Sequence, residues 1–427
     1  MPANDLIDVR LAYGREGLTV RLPRDRTTVI QPTYVPGLPD QLGALQAALR
    51  NPMGTKPLRQ LVQPGQTIAI SVCDITRPMP SRVVLPAVLA ELGHIPSTDI
   101  SILVATGTHR ANSEDELAGM LGPEVVENYR VINHTAFDKS TLKRLDDTPT
   151  GIPVYLNEVW ADSDFRITTG FVEPHFFAGF SGGPKMIAPG LAGFETIMKL
   201  HDAEMIGNPK STWGITVGNP IHDAVRGIAK QTGVDFSLDV TINRDHQITS
   251  AYAGEMFQVH GAACQVAKHS AMQAVDAPFD VVLTSNSGYP LDQNLYQAVK
   301  GMSAAVQVVR QDGTIICAAE CSDGVPVHGQ YQEILASAAG PYELLDMINT
   351  LGYDRHDQWQ VQIQAQIQTR ARVLFKSSFL SVDEVRAAHL EPVYDLASAV
   401  TEALAGYGSN ARLCVLPEGP QTIPYLK

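Results

Sequence analysis

Short apolar runs alternate with helix-patterned segments along most of the chain. β-Branched apolar runs occur at Thr67–Cys73 and Ile100–Thr106, and a segment with helical periodicity follows each of them. The same pattern predicts further strands at 130–133, 153–156, 165–169, 279–285, 314–318, 372–375 and 412–416. Strands that alternate with helices of this length favour an α/β fold, in which helices cover largely parallel sheets.

The alternation of strands and helices is interrupted near residues 270–278, and we place the boundary between two domains there. A predicted hairpin (237–241 and 247–252) and a predicted helix (256–272) come before Pro278, after which the alternation starts again. We therefore predict two layered α/β domains, 1–272 and 273–427, with the active site in the cleft between them. A chain of 427 residues with 44% hydrophobic residues suits two such cores. The last strand could join either sheet.

The composition argues against some classes of binding partner and some locations of the protein, as its charge, apolar runs and cysteines show. With 32 basic and 45 acidic residues the net charge is −13, which would repel a phosphate backbone, so nucleic acid is not an expected partner. No apolar run approaches the length of a membrane span, and the first residues lack the features of a signal peptide. Five unpatterned cysteines favour a reducing, cytoplasmic location.

Polar clusters follow the first two of these strands. Asp74–Pro78 contains Arg77, which could clamp a carboxylate with two hydrogen bonds or merely pair with Asp74 at the surface. Thr106–Arg110 contains His109, which suits acid–base chemistry, although a lone loop histidine is commonly just solvated. Ligands of layered α/β domains bind beyond the carboxyl ends of the strands, so both clusters are candidate site residues.

The densest cluster is Glu173–Lys185, which holds three glycines among aromatic residues. Such a loop indicates a close approach of a ligand to the backbone. Its G-x-S-x-G match would make Ser181 a hydrolase nucleophile, but Pro184 follows where a helix should begin. It is not a Walker A loop either, because Pro184 precedes Lys185 and no Ser or Thr follows. Backbone N–H groups here could still bind a phosphate.

Two further segments carry candidate residues. His201 lies too far from other histidines for an H-E-x-x-H zinc pair, and it could be purely structural. In Tyr289–Gly301, Tyr296 and Lys300 are four residues apart and share a helical face, as they would on an ordinary amphipathic helix. No G-x-G-x-x-G motif follows a predicted strand, so a dinucleotide is not indicated.

Together and in this order, the motifs resemble those of the nickel-pincer lactate racemase family, the nickel-dependent 2-hydroxy acid racemases and epimerases. The resemblance spans residues 70–302 and rests on Asp74–Pro78, Ala105–Arg110, His175–Lys185 with the following His201, and Gly288–Gly301. It implies racemisation or epimerisation of lactate or a related 2-hydroxy carboxylate. The implied route is proton-coupled hydride transfer through a 2-keto acid.

The resemblance also implies a cofactor, pyridinium-3-thioamide-5-thiocarboxylic acid mononucleotide, which holds nickel through two sulfurs and a ring carbon. Lys185 would form the covalent link to it, and His201 would be the protein's ligand to nickel. Ser181, Gly182 and Gly183 would contact the cofactor, whose phosphate needs backbone donors. The enzymes of pincer-cofactor biosynthesis are the implied protein partners.

Catalytic and substrate-binding roles follow from the same resemblance. His109 and His175 match the two catalytic histidines, which would exchange the substrate's hydroxyl proton for the two enantiomers. The implied substrate-binding residues are Asp74, Arg77, Tyr296, Gln297, Lys300 and Trp359.

Two positions depart from the family pattern and leave the preferred 2-hydroxy acid open. Pro184 stands beside the lysine where a basic residue is usual, and Thr108 replaces an aromatic residue before His109. Two other interpretations remain open from the sequence: a serine hydrolase using Ser181, and a non-catalytic protein that binds nickel or a small acid.

Overall fold

The computed structural model describes residues 5–327 and 329–427; the first four residues of the predicted N-terminal domain lie outside this part. The strands are β1 (Leu6–Leu11), β2 (Leu18–Pro23), β3 (Thr27–Val29), β4 (Ile68–Cys73), β5 (Ile100–Ala105), β6 (Arg130–Asn133), β7 (Leu142–Leu145), β8 (Val154–Asn157), β9 (Phe165–Phe171), β10 (Pro174–His175), β11 (Gly179–Phe180), β12 (Phe236–Ile242), β13 (Ile248–Gly254), β14 (Met272–Val275), β15 (Phe279–Ser285), β16 (Val309–Ala318), β17 (Ala371–Lys376), β18 (Glu391–Pro392), β19 (Leu413–Leu416) and β20 (Ile423–Leu426).

The α-helices are α1 (Gln41–Arg50), α2 (Leu58–Leu61), α3 (Ser81–Glu91), α4 (Glu114–Leu121), α5 (Pro123–Asn128), α6 (Glu158–Asp162), α7 (Phe194–Leu200), α8 (Ala203–Gly207), α9 (Pro220–Thr232), α10 (Met256–Ala271), α11 (Leu295–Ala305), α12 (Tyr331–Leu335), α13 (Pro341–Ile348), α14 (Gln358–Arg370), α15 (Val382–Ala387) and α16 (Leu396–Tyr407). No helix in the described part is both long and apolar enough to cross a membrane.

The chain forms two compact units, each built on a six-stranded sheet, and the predicted α/β class is confirmed. The N-terminal unit comprises Tyr34–His201 and Lys210–Ser270. The C-terminal unit comprises Ala271–Lys427 together with residues up to Thr33 and the short stretch Asp202–Pro209. The division therefore differs from a single cut at 272/273, because two earlier pieces of chain lie with the C-terminal unit.

The sheet of the N-terminal unit has the strand order β13-β12-β9-β4-β5-β6. All its neighbours pair in parallel except β12 and β13, which form the predicted hairpin at one edge. Every residue of β4 is buried, as expected for a central parallel strand covered by helices on both faces. Since β4, β5 and β9 are parallel neighbours, the segments that follow Cys73, Ala105 and Phe171 start at the same edge.

The sheet of the C-terminal unit is parallel throughout, in the order β18-β17-β16-β15-β19-β3. The last predicted strand, β19, lies in this sheet between β15 and β3, which settles the alternative left open by the sequence. The hairpin β1–β2 packs on the core of this unit through Leu11 and Leu22. The hydrophobic pattern did not reveal this N-terminal hairpin, whose strands are short and half exposed.

Two short helices, α12 and α13, follow one another in this unit. Gly340 has a fully extended backbone, and Pro341 occupies the first helical position of α13, where its missing N–H costs nothing. A proline therefore starts a second helix here.

Candidate active site

Asp74 and His109 form a hydrogen-bonded pair at the carboxyl edge of the N-terminal sheet. The Nδ1 of His109 lies 2.8 Å from Oδ2 of Asp74, and the two residues follow the adjacent strands β4 and β5. The Asp74 side chain is only 4% exposed, whereas that of His109 is 44% exposed. A carboxylate accepts only, so Nδ1–H of His109 donates and Nε2 carries the lone pair of the neutral ring.

Several neighbours keep the Asp74 carboxylate ionised. Burial opposes its charge, but the hydrogen bond from His109, the positive charge of that ring when it is protonated, the charge of Arg77 and the hydroxyl of Thr76 together lower its pKa below the usual value. Thr76 donates to Oδ1 at 2.8 Å, so each carboxylate oxygen has a donor. The pair is thus an oriented imidazole beside a charged carboxylate, an arrangement that suits a general base.

His175 lies at the start of a tight hairpin formed by β10 and β11. Its Nδ1 accepts long hydrogen bonds from the backbone N–H of Ala178, at 3.3 Å, and of Phe177, at 3.5 Å. The proton of a neutral ring is therefore on Nε2, opposite to the assignment for His109. His109 can accept a proton at Nε2, whereas His175 holds one there.

The ring of Phe177 is the common neighbour of three predicted site residues. It meets His175 edge-on at a centroid distance of 4.5 Å and His201 at 5.1 Å. The Nζ of Lys185 lies 5.5 Å from the centroid of the same ring. The tertiary structure therefore gathers His175, Lys185 and His201 around one aromatic side chain, which the sequence analysis did not single out.

His201 is buried at the end of α7, and its ring orientation is fixed by the helix. Its Nδ1 lies 2.7 Å from the carbonyl oxygen of Ile197, so Nδ1–H donates and Nε2 holds the lone pair. A backbone carbonyl on the far nitrogen is the usual way in which a metal-binding histidine is oriented. His201 can therefore offer one nitrogen ligand.

The donor set fits the metal group that the resemblance implies. No cluster of three or more His, Cys, Asp or Glu suited to a metal ion occurs in residues 5–327 and 329–427. A pincer that brings three donors of its own needs only one more for a four-coordinate site, and an imidazole nitrogen suits nickel. Lys185 and His201, which share Phe177 as a neighbour, are the residues that would hold such a group.

The glycines of the loop are needed for packing inside the protein. Gly182 and Gly183 have φ values of +71° and +47°. A Cβ on Gly182 would lie 2.9 Å from the Phe171 carbonyl oxygen, and one on Gly183 would lie 2.6 Å from the His260 ring. At these two positions the absence of a side chain lets the sheet and α10 approach the backbone closely.

Ser181 is held in the same framework. Its hydroxyl donates to the carbonyl oxygen of Phe171 and accepts from the backbone N–H of Glu173, both at 3.0 Å. The nearby His260 uses Nε2–H to bond the backbone oxygen of Ser181 and not its hydroxyl. No histidine base activates Ser181 within the described part of the chain, so the hydrolase interpretation has no structural support.

A buried carboxyl group lies beneath this loop. Asp239, in β12, is fully buried, and its Oδ1 accepts the backbone N–H of Gly183 at 3.3 Å. Its Oδ2 has no hydrogen-bond partner among the described residues. Burial raises the pKa of Asp239 to about 7, and the Gly183 hydrogen bond opposes this only in part. Burial likewise lowers the pKa of His260 to about 4. The His260 ring is therefore neutral near neutral pH, whereas the Asp239 carboxyl is neutral only below about pH 7.

The remaining predicted residues lie together in the C-terminal unit. Lys300 donates to Oε1 of Gln297 at 2.6 Å within α11, whose first turn is capped by Asn294. The indole N–H of Trp359 donates to the hydroxyl of Tyr296 at 3.0 Å. Trp359 is far from Tyr296, Gln297 and Lys300 in the sequence, and this hydrogen bond connects it to the α11 residues.

Sequence reasoning missed three residues that the structure places at the site: Phe177, Asp239 and His260. Phe177 lay inside the recognised glycine-rich stretch, and its aromatic character was the available signal. Asp239 is the one charged residue of the strand FSLDVTI, and an acid inside a β-rich strand indicates a buried polar role. Nothing in the local sequence marks His260.

Comparisons with known proteins show which family the chain resembles over its length. Residues 13–214 match the family model described as the lactate racemase N-terminal domain, and residues 274–423 match the lactate racemase C-terminal domain. A lactate racemase from Thermoanaerobacterium thermosaccharolyticum is 34% identical over 426 residues, covering 98% of this chain and 99% of that protein. A lactate racemase from Lactiplantibacillus plantarum is 35% identical over 422 residues, covering 97% and 99%.

Solved structures show the same architecture. The lactate racemase apoprotein from Thermoanaerobacterium thermosaccharolyticum superposes with a TM-score of 0.92 at 33% identity, covering 98% of this chain and 100% of that one. A protein from Thermotoga maritima shares the fold, with a TM-score of 0.69 at 19% identity over 92% of this chain.

The buried Asp239 makes stability depend on pH. Because its folded pKa is raised to about 7, the folded state keeps a proton that the unfolded chain releases near pH 4, so this group's contribution to stability falls as pH rises between those values. Asp239→Asn cannot ionise and can still accept the Gly183 N–H. We expect its melting temperature, relative to wild type, to rise between pH 5 and pH 8, by about 2–4 °C per kcal/mol of penalty removed.

The control for this measurement is Asp312→Asn, at an exposed position of β16 whose φ of +58° asparagine tolerates. Its melting temperature should follow the wild-type pH profile. Parallel profiles for Asp239→Asn and wild type would show that Asp239 is ionised in the folded protein.

Proposed function

This chain belongs to the lactate racemase family and is an isomerase, and we propose that it interconverts the enantiomers of lactate or a closely related 2-hydroxy carboxylate. The observation that carries the proposal is the gathering of His175, Lys185 and His201 around Phe177, in the unit that also orients His109 through Asp74. These are the residues that the family resemblance assigned to proton transfer, cofactor attachment and nickel binding.

The chemistry of the substrate explains why a redox group is needed. The Cα proton of a 2-hydroxy carboxylate is very weakly acidic, because the adjacent carboxylate is already negative. We propose that the chain carries nickel and the pyridinium-3-thioamide-5-thiocarboxylic acid mononucleotide, which when bound supplies a reversible acceptor for the Cα hydrogen with its electron pair. The protein then has to hold this group, orient the planar 2-keto acid and move one hydroxyl proton.

Two residues would hold the group. The amine of Lys185 would form the covalent thioamide. Lys185 lies on the 3₁₀ turn Gly183–Met186, which a hydrogen bond from the Gly183 N–H to Asp239 attaches to the sheet. His201 would bind nickel through Nε2, because its Nδ1–H is committed to the Ile197 carbonyl.

The two catalytic histidines would act on the hydroxyl proton. His109 presents a lone pair at Nε2, and the Asp74 carboxylate stabilises the imidazolium that forms when this atom takes the proton. His175 holds a proton at Nε2, and to act as the base for the other enantiomer it must give up its long contacts with the Ala178 and Phe177 amides. Those contacts are weak enough to break at little cost.

Cationic and polar side chains would bind the substrate. We propose that Arg77 and Lys300 bind the carboxylate, each through charge-assisted hydrogen bonds worth about 1.5–3 kcal/mol. Tyr296, Gln297 and Trp359 would be further substrate-binding residues. Thr108 and Pro184 depart from the family pattern, so the size of the preferred 2-hydroxy acid is left open.

The proposal extends to partners and location. Assembly of the cofactor would require the enzymes of pincer biosynthesis. The five cysteines are all free thiols, which supports a cytoplasmic location, where thiols stay reduced.

Cofactor attachment can be tested by mass and metal analysis. Protein produced with the pincer-synthesis enzymes should carry an intact-mass adduct that is absent from Lys185→Ala. His201→Ala should keep the adduct and lose nickel, because it removes one metal ligand and leaves the lysine in place. Lys199→Ala, at an exposed position in the last turn of α7, should resemble wild type in both measurements. Full nickel loading and activity in Lys185→Ala would refute the assignment.

The Asp74–His109 pair can be tested by kinetics. Asp74→Asn keeps the shape of the side chain but removes the charge that orients and stabilises the protonated imidazole, so we expect kcat to fall by about 10²–10⁴-fold with little change in KM. Thr76→Val removes the other hydrogen bond to the same carboxylate and should cost far less. Equal losses in the two variants would argue against a specific role for the pair.

The reaction itself can be tested with isotopes. Cofactor-loaded enzyme should racemise L-lactate or D-lactate in D2O while leaving Cα largely undeuterated, because the hydrogen returns from a site shielded from water. A Cα-deuterated substrate should react more slowly, and replacing His109 or His175 should stop both directions. A panel of larger and dicarboxylic 2-hydroxy acids identifies the best substrate. Stoichiometric deuterium uptake at Cα would overturn the hydride mechanism, and no racemisation of any 2-hydroxy acid would overturn the function.

A further inference from the structure

The hairpin β10–β11 begins with His175, and one other segment of the chain holds the backbone of its turn. The carbonyl oxygens of residues 177, 178 and 179 each accept a hydrogen bond from that segment. The donors are, in this order, the side-chain amide of Asn219, the ring of His222 and the backbone N–H of Gly214. Segment 214–222 and the hairpin both belong to the N-terminal unit, so this arrangement lies within one compact body.

Asn219 is fully buried, and both polar atoms of its side chain are hydrogen-bonded. Its Nδ2 donates to the carbonyl oxygen of Phe177 at 2.9 Å and to that of Ile215 at 3.0 Å. Its Oδ1 accepts the N–H groups of Ile221 and His222, at 3.0 and 3.2 Å, and so caps α9. A buried amide paired in this way resists displacement, because a shift would leave a polar group unpaired.

The hairpin and the segment approach each other so closely that the turn requires a glycine. Gly179 has a φ of +79°, and a Cβ at this position would lie 2.2 Å from the carbonyl oxygen of Ile215. That oxygen is the second acceptor of the Asn219 amide. The hairpin sequence is thus matched to the segment that carries Asn219.

The Phe177 carbonyl that Asn219 binds belongs to the same peptide group as the N–H of Ala178. That N–H donates to Nδ1 of His175 at 3.3 Å. The oxygen and the N–H of a trans peptide point in opposite directions, so Asn219 and His175 lie on opposite sides of one planar group. If this peptide were turned over, its oxygen would face Nδ1 and would favour a ring proton on that atom.

We propose that Asn219 is a positioning residue for His175, because it holds this peptide with the N–H towards the imidazole. The hydrogen bond to the carbonyl also polarises the peptide and strengthens its N–H as a donor. His175 is thereby kept in the form that carries its proton on Nε2, from which it can be delivered to a substrate oxygen. The inference rests on the proposed function, in which His175 exchanges the hydroxyl proton.

Loss of the Asn219 donor should affect proton transfer more than substrate binding. A histidine in the wrong tautomer, or slightly displaced, transfers protons slowly, so we expect kcat to fall by about 10–100-fold with little change in KM. Because the equilibrium constant of a racemisation is one, kcat/KM must fall by the same factor for both enantiomers.

The chain offers a matched pair of substitutions at two buried caps. Asn219→Asp keeps the shape and the capping oxygen but loses the donor, and it sets a carboxylate oxygen against the carbonyl of Phe177. Asn157 caps α6 in the same way, by accepting the N–H groups two and three residues further on. Its Nδ2 donates to Nδ1 of His134, a residue outside the proposed site. Asn157→Asp therefore removes the same kind of donor from the same kind of cap.

The tautomer can be measured without cofactor or activity. The ¹⁵N chemical shifts of labelled histidine rings distinguish a proton on Nδ1 from one on Nε2, and a His175→Gln sample assigns the signal. In the full-length protein near pH 8 we expect His175 to carry its proton on Nε2 in wild type and Asn157→Asp. In Asn219→Asp a substantial fraction should carry it on Nδ1. A folded Asn219→Asp protein with the wild-type tautomer would overturn the proposal.

Kinetics on cofactor-loaded enzyme give the second measurement. At equal adduct and nickel content, Asn219→Asp should show the expected fall in kcat for lactate, whereas Asn157→Asp should remain close to wild type. A changed tautomer with unchanged kcat would overturn the positioning role alone. Wild type that carries adduct and nickel but racemises no 2-hydroxy acid would instead overturn the proposed function.

Asn219→Ser keeps the test decisive if the buried carboxylate of Asn219→Asp prevents folding. Serine caps a helix about as well as asparagine, but its side chain is shorter and has no amide to reach the Phe177 carbonyl. We expect the same changes in tautomer and kcat, with Asn157→Ser as the control. Wild-type values of both in a folded Asn219→Ser protein would count against the proposal.

Discussion

The parallel pairing of β4 with β5 and with β9 is the constraint on which the N-terminal site depends. Neighbouring strands lie about 4.8 Å apart, and parallel strands end at the same edge, so the segments after them start side by side. Asp74 and His109 are 35 residues apart in the chain and form one hydrogen-bonded pair for this reason. The glycine-rich hairpin after β9 joins them because β9 lies directly beside β4.

Hydrogen bonds from buried polar side chains then fix the geometry of the glycine-rich loop. Ser71 of β4 bonds the carbonyl of Met186, and Asp239 of β12 bonds the N–H of Gly183, so two strands hold the turn that carries Lys185. His260 of α10 closes the other side by bonding the carbonyl of Ser181. Neutral donors and acceptors serve this purpose better than charges, which would carry a larger desolvation penalty. The glycines at 182 and 183 are required because the sheet and α10 approach so closely.

In the C-terminal unit, the side chains of one helix likewise form hydrogen bonds with backbone carbonyls. The amides of α14 bond carbonyls of α8, α11 and the end of α15, so a single helix fixes segments that are far apart in sequence. Trp359 and Gln360 both bond Tyr296, one through its hydroxyl and one through its backbone. Side chains that bind backbone carbonyls define position more strictly than apolar contacts, because a hydrogen bond weakens steeply with distance and angle.

By itself, the sequence determined the α/β class, most strands of both sheets and the motifs that carry the family resemblance, because these depend on local hydrophobic periodicity and on residues close together in the chain. It could not assign the hairpin β1–β2 or the strand β3 to the C-terminal unit, since the core residues that cover the hairpin and the strand β19 that pairs with β3 lie hundreds of residues away. The tertiary structure alone decided that Asp74 orients His109, that Phe177 lies between His175, Lys185 and His201, and that Asp239 and His260 support the loop. Those contacts join different strands and helices, and no local pattern records which side chains the folded chain brings within a few ångströms.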